Sequence, residues 1–125
     1  MLIKLVDDCR EFVAGDGSLL RELLNPDKAD VQIRYSLAHA TVPFGQATKP
    51  HRLATAEVYY VIEGFGTMCI DDEYEPVEPG SAVYIPPGAV QSVENTGDHE
   101  LVFLCMVDPA WQPQDEEIIG NSPLP

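Results

Sequence analysis

The amino-acid sequence predicts an all-β sandwich or barrel. Between Asp30 and Pro109, apolar runs of about four to eight residues are rich in β-branched and aromatic side chains. Turn residues separate these runs about every eight to twelve positions, a spacing typical of short antiparallel strands. The 9 glycines and 11 prolines fall mainly between the runs, where they favour turns.

The predicted strands follow one another along most of the chain. The first is VQIRYSLAHATV, and a short run around His51 comes next. The remaining strand predictions are EVYYVIEG, GTMCIDD, SAVYIPPG, VQSVENTG and HELVFLCMVDP. Before all of them, GSLLRELLNP fits either a short strand or a helical turn, because its leucines satisfy both periodicities.

The length of 125 residues indicates a single domain with one hydrophobic core. We divide the chain into a short N-terminal extension (1–30), a barrel (31–108) and an acidic C-terminal tail (109–125). The tail is expected to cross the surface of the protein. Trp111 and the pair Ile118–Ile119 are its expected apolar anchors.

Negative charge is concentrated in the C-terminal part of this acidic protein. Residues 1–56 contain 7 acidic and 7 basic side chains, whereas residues 57–125 contain 14 acidic side chains and no lysine or arginine. The whole formal charge of −14 therefore comes from the second part. Such a surface repels nucleic-acid phosphates and anionic membranes, so neither is an expected partner.

The N-terminal sequence and the cysteines predict a cytoplasmic protein. The apolar stretch of MLIKLVDDCREF is too short for a signal peptide, and nothing reaches the roughly 18 apolar residues that span a bilayer. The three cysteines, Cys9, Cys69 and Cys105, are an odd number without a C-x-x-C pair, which predicts free thiols. Cys69 and Cys105 lie in apolar runs, so we expect them in the core.

Two sets of spaced residues stand in the middle of the chain. In residues 45–64 they are Gly45, His51, Glu57 and Gly64. In residues 80–95 they are Gly80, Pro86, Gly88, Gln91 and Asn95. The spacings resemble the two sequence motifs of the cupin family, separated by a gap of fifteen residues (65–79) as in its small single-domain members.

The resemblance implies a double-stranded β-helix, the jelly-roll barrel of the cupins, and commonly a homodimer. In the family, the first motif carries a second histidine two residues after the first, and the second motif also carries a histidine. This chain has Leu53 and Gln91 at those two positions. Of the family's four metal-ligand positions, the resemblance therefore leaves His51, Glu57 and Gln91 as candidate ligands.

The residue types at these positions suit a divalent transition metal. Imidazole and carboxylate together favour first-row ions such as Mn, Fe, Ni, Zn or Cu, whereas an amide oxygen is a weaker ligand. His51 and Leu53 lie two apart on a strand and so point to one face. We therefore expect a divalent metal cofactor held by the reduced set His51, Glu57 and Gln91.

Three states of the site remain open from the sequence. The metal binds the reduced set plus water, or His39 turns inward from its strand and supplies the missing imidazole. Alternatively the site is metal-free, with His51 and Glu57 hydrogen-bonded as a polar floor. Leu53 is expected to form an apolar wall beside His51, and Tyr59 to line the pocket from the core or rim.

Two classes of function follow, both acting on a small polar molecule in the barrel. One is a metal-dependent enzyme of the oxygenase, isomerase or lyase kinds found among similar cupins. The other is a metal-free module that binds a sugar-like or acid-like ligand without catalysis. A purely structural scaffold ranks below both, because a buried histidine–glutamate pair is costly unless its polar groups are satisfied.

The strand EVYYVIEG also bears on the oligomeric state. Tyr59 and Val61 share a face with Glu57, while Tyr60 and Ile62 point the other way. Both faces are therefore apolar, which predicts that both are covered. A second copy of the chain is the expected cover, in agreement with the homodimer that the resemblance implies.

Overall fold

Eleven strands make up most of the regular structure. The computed structural model describes residues 1–120. The strands are β1 (Glu11–Val13), β2 (Leu19–Leu24), β3 (Ser36–Val42), β4 (His51–Leu53), β5 (Ala56–Glu63), β6 (Gly66–Ile70), β7 (Glu73–Val77), β8 (Ala82–Ile85), β9 (Gln91–Asn95), β10 (Leu101–Asp108) and β11 (Glu116–Ile118). Two short 3-10 turns, Val6–Asp8 and Pro113–Asp115, supply the helical content of this range. In the same range, no helix has the length and apolar character that crossing a membrane requires.

The strands pair into two antiparallel sheets with jelly-roll connections. One sheet has six strands in the order β1-β2-β3-β10-β5-β8, and the other has five in the order β11-β4-β9-β6-β7. Strands distant in sequence are thus neighbours, and β10 lies between β3 and β5. The all-β jelly-roll prediction is confirmed.

The core lies between the two sheets. Phe103, Leu101 and Ile85 are almost completely buried there. The rings of Phe103 and Tyr59 pack with their centroids 4.3 Å apart. Burying a large apolar side chain stabilises the fold by about 1.5–3 kcal/mol. Cys105 is also buried and is a free thiol, as the sequence predicts.

The two faces of β5 have different surroundings. Glu57, Tyr59 and Val61 face the interior and are buried, as their alternation predicts. On the opposite face Tyr60 and Ile62 are 45% and 46% exposed in the single chain. The six-stranded sheet therefore presents an apolar outer surface to solvent.

The N-terminal extension contributes two strands to the larger sheet. β1 and β2 form a hairpin, and β2 pairs with β3. The ambiguous leucine-rich segment is therefore a strand, because it gains hydrogen-bonding partners on both sides, β1 and β3. The turn of this hairpin lies at the mouth of the barrel, where it meets Lys49.

The C-terminal tail is held differently from the prediction. Trp111 is half-buried, but Ile118 and Ile119 are 40% and 43% exposed, so the expectation that they anchor the tail is wrong. Main-chain pairing of β11 with β4 holds this segment instead, and the Ile119 amide donates to the Pro50 carbonyl at 2.8 Å. The last five residues of the tail lie outside the described range.

Candidate functional site

A cavity of about 150 Å³ lies between the sheets beside the N-terminal hairpin. Four side chains from the region of the first motif line it: His51, Leu53, Glu57 and Tyr59. Apolar side chains of β3 and β10 complete much of the wall. Its volume is below the range of about 300–1,000 Å³ typical of sites for drug-sized ligands, so its occupant must be small.

A hydrogen-bonded chain of three buried side chains joins the sheets at this cavity. Nε2 of Gln91 donates to Oε1 of Glu57 at 2.9 Å, and the Tyr59 hydroxyl donates to Oε1 of Gln91 at 2.8 Å. Glu57 and Tyr59 lie on β5 in the six-stranded sheet, whereas Gln91 lies on β9 in the five-stranded sheet. Gln91 is fully buried and stands behind the cavity wall, with both ends of its amide bonded.

The orientation of His51 is fixed through its Nδ1 atom. Nδ1 lies 2.7 Å from the carbonyl oxygen of Lys49, and because a carbonyl only accepts, Nδ1 carries a proton. Nε2 faces Oδ2 of Asp16 at 3.6 Å, which is too long for a hydrogen bond. Nε2 is therefore available to an occupant, as a lone pair in the neutral ring or as an N–H in the charged ring.

Asp16 reaches the cavity from the turn between β1 and β2. Its Oδ1 accepts hydrogen bonds from the Ser18 amide at 3.0 Å and from the Ser18 hydroxyl at 2.7 Å. The Lys49 amide donates to the Asp16 carbonyl at 2.7 Å. Lys49 thus ties the turn and His51 together through its two backbone groups, which sets the position of the Asp16 carboxylate.

Glu116 brings a carboxyl group to the cavity from the C-terminal tail. It lies in β11 beside Leu53 of β4. A Cβ atom at Gly15 would come within 3.1 Å of Oε2 of Glu116, so glycine permits this close approach. Both ends of the described chain therefore contribute acidic groups to the cavity.

Sequence reasoning missed Asp16, Ser18 and Glu116 as lining residues. A signal existed for the first two, because AGDGS between apolar runs is typical of a tight hairpin turn. That hairpin would have placed Asp16 at a sheet edge of the barrel. Glu116 carried no such signal, because an acidic run near a chain end equally indicates a solvated surface.

The structure brings some predicted residues together and separates others. Leu53 is 4% exposed and forms an apolar wall, as expected. Tyr59 is buried in the core, and its hydroxyl donates a hydrogen bond to Gln91. His39 lies on β3 between Ala38, which lines the cavity, and Ala40, which is in the core. Because side chains alternate along a strand, His39 points to the outer side, and the open alternative in which its imidazole turns inward is not realised.

The predicted donor set fits a metal ion poorly. The oxygen of Gln91 already accepts from Tyr59, and Oε1 of Glu57 accepts from Gln91. In the part of the chain that the structure describes, no group of three or more histidine, cysteine, aspartate or glutamate side chains is arranged to hold a metal. His51 and Glu57 are both hydrogen-bonded, but to Lys49 and Gln91 rather than to each other.

Burial changes the proton affinity of the cavity carboxyls. The pKa of Glu57 is raised from 4.5 to about 8, mainly because the carboxyl is buried. The hydrogen bond from Gln91 partly offsets this rise, whereas the negative charges of Asp16 and Glu116 add to it. Glu57 is therefore mostly protonated at neutral pH and can exchange a proton with a bound molecule. Burial is also the main reason that the pKa values of Tyr59 and Glu116 are raised.

The family model described as "Cupin domain" matches residues 38–107, more than half of the chain. The chain belongs to the cupin family. The match includes both motifs, so the resemblance inferred from their spacing is confirmed. It also includes β3 to β10 apart from a few terminal residues, which is the body of the jelly roll.

Solved cupin structures share the fold. The polyketide cyclase RemF from Streptomyces resistomycificus superposes with a TM-score of 0.78 at 24% identity, covering 98% of this chain and 87% of that chain. A cupin 2 domain-containing protein from Halorhodospira halophila gives a TM-score of 0.69 at 27% identity, covering 82% of this chain and 75% of that chain. These similarities establish the fold. The chemistry of this chain has to be inferred from the residues that line its cavity.

Curated relatives are more similar in sequence. An uncharacterized protein from Methanocaldococcus jannaschii is 39% identical over 114 residues, which cover 90% of each chain. A glucose-6-phosphate isomerase from Thermococcus onnurineus is 39% identical over 97 residues, covering 74% of this chain and 47% of that protein. The chain thus spans about half the length of the glucose-6-phosphate isomerase that it matches.

The buried carboxyl of Glu57 makes stability depend on pH. Its pKa is about 8 in the folded protein, against an ordinary value of 4.5, so its contribution is full below pH 4.5 and is lost as the pH rises through 8. Between about pH 5 and pH 8, we expect the free energy of unfolding to fall by a few kcal/mol, at up to about 1.4 kcal/mol per pH unit. Urea titrations across this range measure the change.

The variant Glu57→Gln is the matched control, because its side-chain oxygen can still accept from Gln91 without titrating. Titrating groups that do not interact with Glu57 contribute equally to both proteins and cancel in the difference. The stability of the wild type relative to the variant should therefore decline across this pH range. A constant difference would contradict the burial of an uncompensated carboxyl at this position.

Proposed function

We propose that the cavity binds a small polar organic molecule without a metal ion. The observation that carries this proposal is the state of Gln91, whose amide nitrogen and oxygen are both bonded to side chains of β5. Gln91 is not among the residues that line the cavity, so reaching a metal ion there would require its side chain to turn and break both bonds. A buried donor left unpaired costs about 1–3 kcal/mol, so the metal-free site is favoured.

The cavity offers polar atoms to such a molecule. Nε2 of His51 makes no hydrogen bond, and only one of the two carboxyl oxygens of Glu57 has a partner among the described residues. At neutral pH the protonated Glu57 can donate a hydrogen bond or accept one. Leu53 and Phe103 contribute apolar parts of the cavity wall. A few convergent polar groups in an apolar wall are typical of small-molecule sites.

A metal-dependent enzyme is the second candidate, and the available Nε2 of His51 favours it. Histidine ligands commonly donate their other ring nitrogen to a backbone carbonyl, as His51 does to Lys49. Asp16 and Glu57 would be the remaining protein donors, in place of the predicted Gln91. The present spacing of these groups does not fit a metal, so this candidate ranks second.

Thermal unfolding in the presence of EDTA tests the first candidate. We expect small polar molecules that enter the cavity to raise the melting temperature by an amount that grows with ligand concentration. Replacing EDTA with Mn²⁺ or Zn²⁺ should leave that shift unchanged. Ala38→Leu narrows the cavity and should abolish the shift, whereas the exposed Ala54→Leu is the matched control and should retain it.

Metal binding is the outcome that would contradict this proposal. The measurements are metal content after purification without chelator, and calorimetric titration with first-row divalent ions. Binding tighter than micromolar that disappears in His51→Ala would establish the second candidate. Ligand shifts that require added metal would do the same.

We also propose that two copies of the chain pair through the outer face of the six-stranded sheet. Tyr60, Ile62 and Tyr84 are 45%, 46% and 62% exposed there. Tyr60 is opposite Leu104, and Val58 is opposite Tyr84, so the apolar side chains are contiguous. Two copies with a formal charge of −14 repel each other, which favours contact through an uncharged face.

Sedimentation velocity tests the pairing. The wild type should sediment as a dimer, and Tyr60→Lys should convert it to a monomer because an ammonium group would be buried at the interface. Tyr74→Lys is the matched control: Tyr74 is 50% exposed on β7 of the other sheet, and this variant should remain dimeric. A wild type that is monomeric at all concentrations would contradict the proposal.

A further inference from the structure

The cavity lining is rich in carboxyl groups and poor in positive charge. Four acidic side chains line it, and Lys28 is the single lysine or arginine among the described lining residues. Nζ of Lys28 lies 2.8 Å from Oε1 of Glu22, so these two charges offset each other. Asp16 and Glu116 remain as carboxyl groups without a basic partner of this kind, while Glu57 is mostly protonated at neutral pH.

Two of these carboxyl groups are buried, and each has one oxygen that makes no hydrogen bond with a described residue. Glu57 and Asp16 are each 7% exposed. Oε1 of Glu57 accepts from Gln91, while its Oε2 makes no hydrogen bond with any described residue. Oδ1 of Asp16 accepts from Ser18, while its Oδ2 lies 3.6 Å from Nε2 of His51, too far for a hydrogen bond. Both side chains line the cavity, and an occupant with N–H groups can donate hydrogen bonds to the Asp16 carboxylate.

Aromatic rings form a large share of the remaining wall. Phe12, Tyr59, Phe103 and Trp111 all line the cavity. Aromatic faces attract ammonium groups through the ring quadrupole, most strongly when water is excluded. Carboxylates beside aromatic rings are thus complementary to an organic cation with a short apolar body.

We propose that the cavity selects a small organic cation, an ammonium-bearing molecule, over neutral or anionic molecules of the same size. This inference rests on the proposed metal-free binding function and specifies its ligand class. The sequence left an acid-like ligand open. The negative charge of such a ligand would be repelled by the carboxylates of Asp16 and Glu116. The same repulsion acts on a phosphate group, such as the one in the substrate for which the glucose-6-phosphate isomerases are named.

Probes matched in size test the charge preference. The probes are propylammonium, 1-propanol, propionate and methyl phosphate, added in EDTA at constant ionic strength to the isotope-labelled protein. We expect propylammonium to shift the amide resonances around the cavity saturably. The neutral probe should bind at least about tenfold more weakly, and the two anions should leave these resonances unchanged.

Substitution of a single carboxyl locates the effect. Asp16→Asn keeps the side-chain oxygen that accepts from Ser18 but removes the charge, so propylammonium should bind about tenfold more weakly. Asp72→Asn, in the exposed turn after β6, is the matched control and should bind like the wild type. Glu116→Gln is a second variant with the same expected direction, in case the first does not fold.

The outcomes separate this inference from the proposed function. Equal binding of 1-propanol and propylammonium, or unchanged binding by both carboxyl variants, would overturn the charge preference while leaving a metal-free site. Preferential binding of propionate or methyl phosphate would overturn it as well. If no probe binds and the polar-molecule screen in EDTA also fails, the proposed function itself is contradicted.

Discussion

The buried bridge from Glu57 through Gln91 to Tyr59 is the interaction on which the site depends. It crosses between the sheets, because Gln91 belongs to β9 while its two partners belong to β5. Each bond satisfies a group that would be costly to bury alone, so the side chains determine one another's orientation. His51 is directly opposite Gln91 in the pairing of β4 with β9, and the bridge therefore also fixes the part of the wall that carries the imidazole.

The ends of the chain give this common barrel its particular chemistry. The N-terminal hairpin supplies Asp16, and the tail supplies Glu116, each placed by backbone contacts with the segment around β4. Their charges reinforce the effect of burial on Glu57, whose pKa rises to about 8. Relatives that share the jelly roll can therefore differ in the charge of the cavity, because Asp16 and Glu116 come from segments outside the body of the barrel.

Most of the fold could be predicted from the sequence, because its signals are local. Strand alternation and turn residues depend on near neighbours, and Gly45 and Gly88 adopt the positive φ that their turns require. The site was predicted only in part. His51 and Leu53 point to the same side because they lie two apart on β4, and Glu57 reaches the cavity from β5, which follows after a short turn. The hydrogen bonds of Gln91 to Glu57 and Tyr59 depend on the distance between the two sheets. The spacing of residues along the sequence gives no information about that distance.

A high-resolution crystal structure at neutral pH, with anomalous data collected on protein purified without chelator, tests the bridge most directly. The account predicts Nε2 of Gln91 within hydrogen-bond distance of Glu57, the Tyr59 hydroxyl on Oε1 of Gln91, and no anomalous peak near His51. A Gln91 side chain turned so that its oxygen and Nε2 of His51 share a metal ion would contradict it.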